Sequence, residues 1–209
     1  MTPTRDPQLV ARSAKTAAYS ALGALALVGV LALTGYTINV NSPGSHSSMM
    51  GADKEDARGT LSDADIMFLQ MMIPHHQQAV DMGTLAETRA SNPEVKALAA
   101  QIKAEQAPEI AQMSGWLTDA GLPTTSSMDM GHGMDGVLSD AQMTALTNAT
   151  GTAFDKLYLE GMIGHHEGAI KMVSMLKNSD NPSTKQLGDK IVASQTAQIA
   201  QMKALLAKL

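Results

Sequence analysis

Two stretches of the chain show the same pattern of apolar and polar positions. In the first, Asp65, Leu69, Met72, His76 and Val80 share one helical stripe, and Phe68, Met71, His75, Ala79 and Met82 share the neighbouring one. In the second, Asp155, Leu159, Met162, His166 and Ile170 take one stripe, with Tyr158, His165, Ala169 and Met172 beside them. Residues seven or eleven apart on an α-helix fall close to the same face, so both stretches predict helices. Ser62 followed by Asp65, and Ser139 followed by Gln142, are capping-box pairs that place helix starts. Asn92-Pro93 and Asn181-Pro182 mark corners, because proline suits the first helical turn and disfavours helix just before it.

The two stretches are copies. Asp65, Met72, Ile73, His75, His76, Ala79 and Met82 return ninety positions on as Asp155, Met162, Ile163, His165, His166, Ala169 and Met172. Past the corners the offset is eighty-nine, and Ile110–Met113 (IAQM) returns as Ile199–Met202. Two helical hairpins packed together predict an all-α protein, a four-helix bundle with pseudo-twofold symmetry, in which facing helices can build a site in the core. The second half carries an extra helical piece from Ser139 to about Ala149, which Gly151 should break and after which Thr152 can cap. Pro74 and Gly164, just before the histidine pairs, weaken the helix, and a local kink is expected at Pro74.

Ahead of these helices lies a different pattern. Thr16–Val40 carries no charge, and its apolar centre, Ala17–Leu33, approaches the roughly 17–25 residues that cross a bilayer. Arg5, Arg12 and Lys15 precede it, which keeps the N-terminus in the cytoplasm and sends the rest outside. A transmembrane anchor is the first expectation, giving a single-pass cell-membrane protein. A cleaved signal segment, with Ala32–Thr34 as the cleavage region, is the alternative and would give a secreted one. The expected organisation is a cytoplasmic N-terminus and membrane segment over 1–40, a flexible tether over 41–60 and the bundle over 61–209. The bundle divides into halves 61–118 and 139–209 around a Met-rich loop, 119–138.

Composition narrows the chemistry. Aromatic residues are only 3% of the 209 and the net charge is −5, which favours helices over strands and argues against a nucleic-acid partner. Cysteine is absent, so disulfides, thiolate zinc sites and iron-sulfur clusters are excluded. The 16 methionines then become the soft ligands available.

Each repeat offers His, Met and carboxylate on adjacent stripes: His75, His76, Met72, Met82 and Asp65 in one, His165, His166, Met162, Met172 and Asp155 in the other. Thioether suits Cu(I), imidazole suits copper in either oxidation state, and a carboxylate can ligate Cu(II) or orient a histidine. Copper is therefore the expected metal, Cu(I) ahead of Cu(II) or silver. Methionine at helical spacing commonly only fills a core; the duplication of His-His with flanking Met is what favours a metal role. Met113 and Met202 recur with no partner in sequence and are assigned to the core. In the loop, Met128, Met130, His132 and Met134 alternate, so an extended backbone would project all four to one side about 7 Å apart, as a second metal-capturing group.

The motifs "MIPHHQQAVDM" and "FDKLYLEGMIGHHEGAIKM", with the hairpin repeat, resemble the bacterial family known as domain of unknown function 305, over about residues 61–209. Its copper-binding members include proteins of the CopM type. The resemblance implies a ferritin-like helical bundle outside the cytoplasm with a role in copper binding or tolerance. The resulting expectation is a metal-binding protein that sequesters copper, confers tolerance or passes the ion to an accepting protein, with self-association also open. An enzyme of the ferritin-like oxidase class is one rival, although it calls for a Glu-x-x-His pair that does not occur. A metal-free interaction module is the other.

Overall fold

The structure, a computed structural model, describes residues 60–125 and 134–209. Among these are five α-helices, one short 3-10 helix and no strand: α1 (Asp63–Arg89), α2 (Pro93–Asp119), α3 (Asp140–Asn148), α4 (Gly151–Val173), the 3-10 helix (Ser174–Asn178) and α5 (Pro182–Leu206). The all-helical reading holds. So do both capping boxes: the Ser62 side chain accepts from Asp65 N and the Ser139 side chain from Gln142 N, with the reciprocal bonds present. Asn92 and Asn181 cap α2 and α5, each followed by proline in the first turn.

The start of α4 differs from expectation. Thr150, not Thr152, occupies the N-cap, and it makes no side-chain cap bond. Gly151, at φ +65°, turns the chain directly out of α3, and Thr152 falls inside the helix that follows. Helix α1 runs without interruption through Pro74 and spans about 40 Å at 1.5 Å per residue.

Helix α1 packs most extensively on α2, and α4 on α5, forming the two hairpins; α1 meets α4 across the middle, while α2 and α5 touch more lightly. Their buried side chains fall into two apolar clusters. Phe68, Leu69 and Met72 of α1 join Met113 and Leu117 of α2, Ala169 and Met172 of α4, and Leu187 and Ile191 of α5 in one. Ala79, Met82, Val95, Ile102, Phe154, Tyr158, Met162 and Met202 are among the members of the other. Each fully buried large side chain contributes about 1.5–3 kcal/mol through removal from water, so these clusters drive the fold. Met113 and Met202 take the core places expected of them.

The ends of the bundle are tied by two reciprocal carboxylates. Asp65 accepts from Ser179 Oγ and Thr184 Oγ1, each at 2.6 Å, in the opposite hairpin's corner. Asp155 accepts from Ser91 N at 3.0 Å, Ser91 Oγ at 2.5 Å and Asn92 N at 2.9 Å in the first hairpin's corner. Burial would raise the Asp65 carboxyl, but hydrogen bonds from Ser179, Ser62 and Thr184 outweigh it and hold the group below its usual range.

No helix among the described residues is long and apolar enough to cross a membrane. The expected anchor, 1–40, and the tether, apart from Thr60, lie outside the described residues.

Candidate metal centre

Between the two apolar clusters every long helix contributes two buried polar side chains. They are His75 and His76 from α1, Gln106 and Glu109 from α2, His165 and His166 from α4, and Gln195 and Gln198 from α5, none more than 3% exposed. Together they form a polar layer across the middle of the bundle. Adjacent helical residues differ in direction by about 100°, which separates the two histidines of each pair. His75 and His165 face each other across the α1–α4 contact with ring centroids 3.8 Å apart, while each lies more than 6 Å from its own neighbour, at 6.4 and 6.3 Å. His76 and His166 turn instead toward the second helix of their own hairpins.

The partners decide the tautomers. His76 Nε2 lies 2.9 Å from Glu109 Oε2, and a carboxylate can only accept, so His76 donates through Nε2–H. Glu109 Oε1 in turn pairs with Lys190 Nζ at 3.1 Å. His166 Nε2 lies 2.7 Å from Gln198 Oε1, whose Nε2 donates to Glu105 Oε2 at 2.8 Å; the amide orientation makes His166 an Nε2–H donor too. His75 donates through Nε2–H to the Asp135 carbonyl at 3.2 Å. In all three rings Nδ1 is buried and without a hydrogen-bond partner, and neither ring nitrogen of His165 reaches one. An imidazole whose outer N–H is held while the other nitrogen stays free is the arrangement of a metal ligand with its orienting group.

Charge agrees with that reading. Burial, then the neighbouring His76, push His75 down to about 4 against the partial support of the Asp135 backbone. Burial likewise takes His166 to about 4, although the Gln198 hydrogen bond opposes it. Burial first, then the neighbouring His75, His166 and His76, hold His165 well below its ordinary range. These rings are neutral at physiological pH, the form that ligates metals. Burial raises the Glu109 carboxyl, yet His76 and Lys190 together bring it below the usual range.

A strap from the end of the Met-rich loop covers the facing pair. Besides the His75 bond, Asp135 pairs its carboxylate with Lys171 at 2.8 Å, and Gln78 grips both the N–H and the carbonyl of Leu138 at 2.8 and 2.9 Å. Gly136 takes φ +81°, and a Cβ on Gly168 would collide with the Asp135 carbonyl, so both glycines are needed for the strap to lie on α4.

The expected ligand residues separate into three groups. The four histidines come together in the polar layer. The helical methionines flank it, Met72 and Met172 in one apolar cluster and Met82 and Met162 in the other. Asp65 and Asp155 are corrected: they stand ten residues from the histidines, about 15 Å along the helix, and their oxygens are taken up by the corner hydrogen bonds. In the loop, Met134 is half-buried in the strap, whereas Met128, Met130 and His132 lie outside the described residues. Sequence reasoning missed Gln106, Glu109, Gln195 and Gln198. Their signal was the eighty-nine-residue offset, which pairs Gln106 with Gln195 and Glu109 with Gln198 beside the repeated IAQM.

Among the described residues no three His, Asp or Glu side chains converge as a ready ligand set. One pair of imidazoles, His75 and His165, faces across the centre, and methionines lie in the apolar clusters on either side; imidazole and thioether are donors that suit a soft, low-coordinate monovalent ion.

Comparison with known proteins follows the same lines. No curated protein matches the chain. A DUF305 protein of Streptomyces coelicolor described as secreted is 35% identical, with a TM-score of 0.65 over 70% of this chain and 93% of its own. A DUF305 fragment from Deinococcus radiodurans is 29% identical, with a TM-score of 0.66 over 72% of this chain and 100% of its own. CopM in its Cu(II)-bound form is 36% identical, with a TM-score of 0.60 over 69% of this chain and 96% of its own; Cu(I)-bound and Ag-bound forms of CopM match as well. With the model of the domain of unknown function DUF305 matching residues 65–206, from the first corner carboxylate to the end of α5, the chain belongs to the DUF305 family.

Proposed function

We propose that this protein binds copper in the polar layer, as Cu(I) in preference to Cu(II) or silver, through the four helical histidines and the flanking methionines. One observation carries the reading: buried imidazole nitrogens of His75, His76, His165 and His166 stand without partners between two sulfur-containing apolar clusters. An orphaned buried polar atom costs about 1–3 kcal/mol, and four such rings at the centre of a bundle call for a ligand that repays the cost. The likeness to CopM in its Cu(I), Cu(II) and Ag forms supports the same metal.

The role is sequestration, tolerance or transfer outside the cytoplasm, with the apolar N-terminal segment acting as anchor or signal and the loop group of Met128, Met130, His132 and Met134 collecting ions. A ferritin-like oxidase finds less support, because such a site draws several carboxylates onto the metal. Among the layer residues Glu109 is the one carboxylate, and it is held by His76 and Lys190.

The test is an anaerobic Cu(I) titration of the full chain against a competing chelator, with and without all four helical histidines replaced by leucine. Loss of the tightest binding class in the variant is expected. Unchanged stoichiometry and affinity would move the site to the loop, and no uptake by either protein would favour a metal-free module.

A further inference from the structure

The two open sides of the polar layer are built differently. At the α1–α4 contact His75 and His165 lie beneath the strap, whose Asp135 carbonyl accepts from His75 and whose Gly136 rests on the α4 backbone. On the opposite side α2 and α5 touch lightly and meet through polar side chains. There Gln198 donates to Glu105 at 2.8 Å and Lys190 pairs with Glu109 at 3.1 Å. The two apolar clusters close the layer along the bundle axis, and the extensive packing within each hairpin closes its other walls.

Gln106 and Gln195 lie between those two cross-seam contacts on their antiparallel helices, and the internal repeat makes them equivalents. Both are 2% exposed, yet neither amide atom of Gln106 has a hydrogen-bond partner, and Gln195 Oε1 has none either. Packing alone would be served better by leucine, which leaves no polar atom orphaned. An amide oxygen can replace a water on an ion that is shedding its hydration shell, and as a poor donor for a soft cation it offers a step without a trap. Pro108 stands between Gln106 and Glu109 inside α2. It has no N–H for the Ala104 carbonyl, so the helix lacks a rung of its hydrogen-bond ladder at the level of the layer. At the rim Lys190, 61% exposed, sets a positive charge in front of the Glu109 carboxylate.

Resting on copper binding in the layer, we infer that the α2–α5 seam is the ion's entrance and exit: the amides of Gln106 and Gln195 pass Cu(I) between water and the histidines, and Lys190 is the barrier at the mouth.

The test loads the full chain with Cu(I) anaerobically and mixes it with an excess of a chromophoric Cu(I) chelator, at concentrations where the rate no longer depends on the chelator. The release phase of interest is the one abolished when His75, His76, His165 and His166 are replaced by leucine. Competition titration gives Kd, and release rate divided by Kd gives the association rate. Gln106→Leu combined with Gln195→Leu is expected to slow release and association together about tenfold, the effect of removing roughly one hydrogen bond's worth of barrier stabilisation, with Kd little changed. Pro108→Ala, which touches no layer residue's polar atoms, restores the helical rung and is expected to slow both rates as well. Lys190→Met is expected to raise the association rate about tenfold at low ionic strength, an effect that added salt removes. A merely structural role for the amides would change unfolding stability and leave these rates alone. The proposal is overturned if the glutamine pair weakens Kd at unchanged association rate, which would make the amides ligands, or if all three seam variants keep the original rates. Acceleration by Gly168→Ala, which lifts the strap, with the seam variants silent would place the entrance on the α1–α4 side. A release phase that needs the four histidines but ignores the seam leaves the copper reading standing; absence of any such phase removes both.

Discussion

His75 and His165, equivalent residues of the two hairpins, face each other at 3.8 Å between ring centroids in the middle of the bundle, fully buried. Neither nitrogen of His165 has a hydrogen-bond partner, so in the metal-free protein the ring is a net cost. His165→Leu, similar in volume and without polar atoms, should therefore stabilise the apo protein by about 1–2 kcal/mol while weakening metal binding. Urea unfolding checks the first part; a loss of more than about 1 kcal/mol would make His165 a packing residue instead.

The flanking methionines can be tested without emptying the core. Met72→Leu, Met82→Leu, Met162→Leu and Met172→Leu conserve volume and should each cost less than about 1.5 kcal/mol. If their sulfurs ligate, Cu(I) affinity falls in the variants while thermal stability barely moves. Unchanged affinity in all four would reduce them to core filling.

The corner carboxylates should behave in the opposite way. Asp155→Ala strips acceptors from Ser91 N, Ser91 Oγ and Asn92 N and should cost about 3 kcal/mol in urea unfolding, with copper stoichiometry retained by the folded fraction. Loss of copper with stability intact would restore Asp155 to the ligand set.

Acid should destabilise the apo protein in a defined window. Burial takes His75 and His166 from 6.5 when unfolded to about 4 when folded, and holds His165 well below its ordinary range, so below about pH 6.5 the unfolded chain binds more protons than the native one. Their contribution is complete above that pH and falls as pH drops toward 4, by up to about 1.4 kcal/mol per pH unit for each ring. Asp65 and Glu109, held low in the fold, contribute above their unfolded values and lose that share at lower pH still. Urea midpoints measured between pH 7 and 4.5 check the slope, which His165→Leu should make shallower; a flat profile contradicts the burial of neutral rings.

Much of this architecture was legible in the chain. Ser62, Ser139, Asn92 and Asn181 cap their helices where local hydrogen-bonding chemistry puts them, because capping depends on a few adjacent residues. The histidines were legible through duplication, since a repeated pair at matching offsets must occupy equivalent places in two hairpins. Asp65 and Asp155 were misassigned for a tertiary reason: sharing a stripe with a histidine says nothing of the corner folded against it from the other hairpin. Glu109 and Gln198 escaped notice because an isolated Glu or Gln on an amphipathic helix reads as solvent-facing, and only packing against His76 and His166 buries them. Gly136 and Gly168 could not be read as a strap contact, because the approach joins residues far apart along the chain.

The central claim is that an ion is received by free ring nitrogens inside the bundle. Histidine-selective 15N NMR of the full chain during Ag(I) addition tests this most directly. The account predicts that Nδ1 of His75, His76 and His166 and one nitrogen of His165 shift on coordination, while the Nε2 protons facing Asp135, Glu109 and Gln198 stay in place. A response confined to His46 and His132, with the four buried rings unmoved, would contradict it.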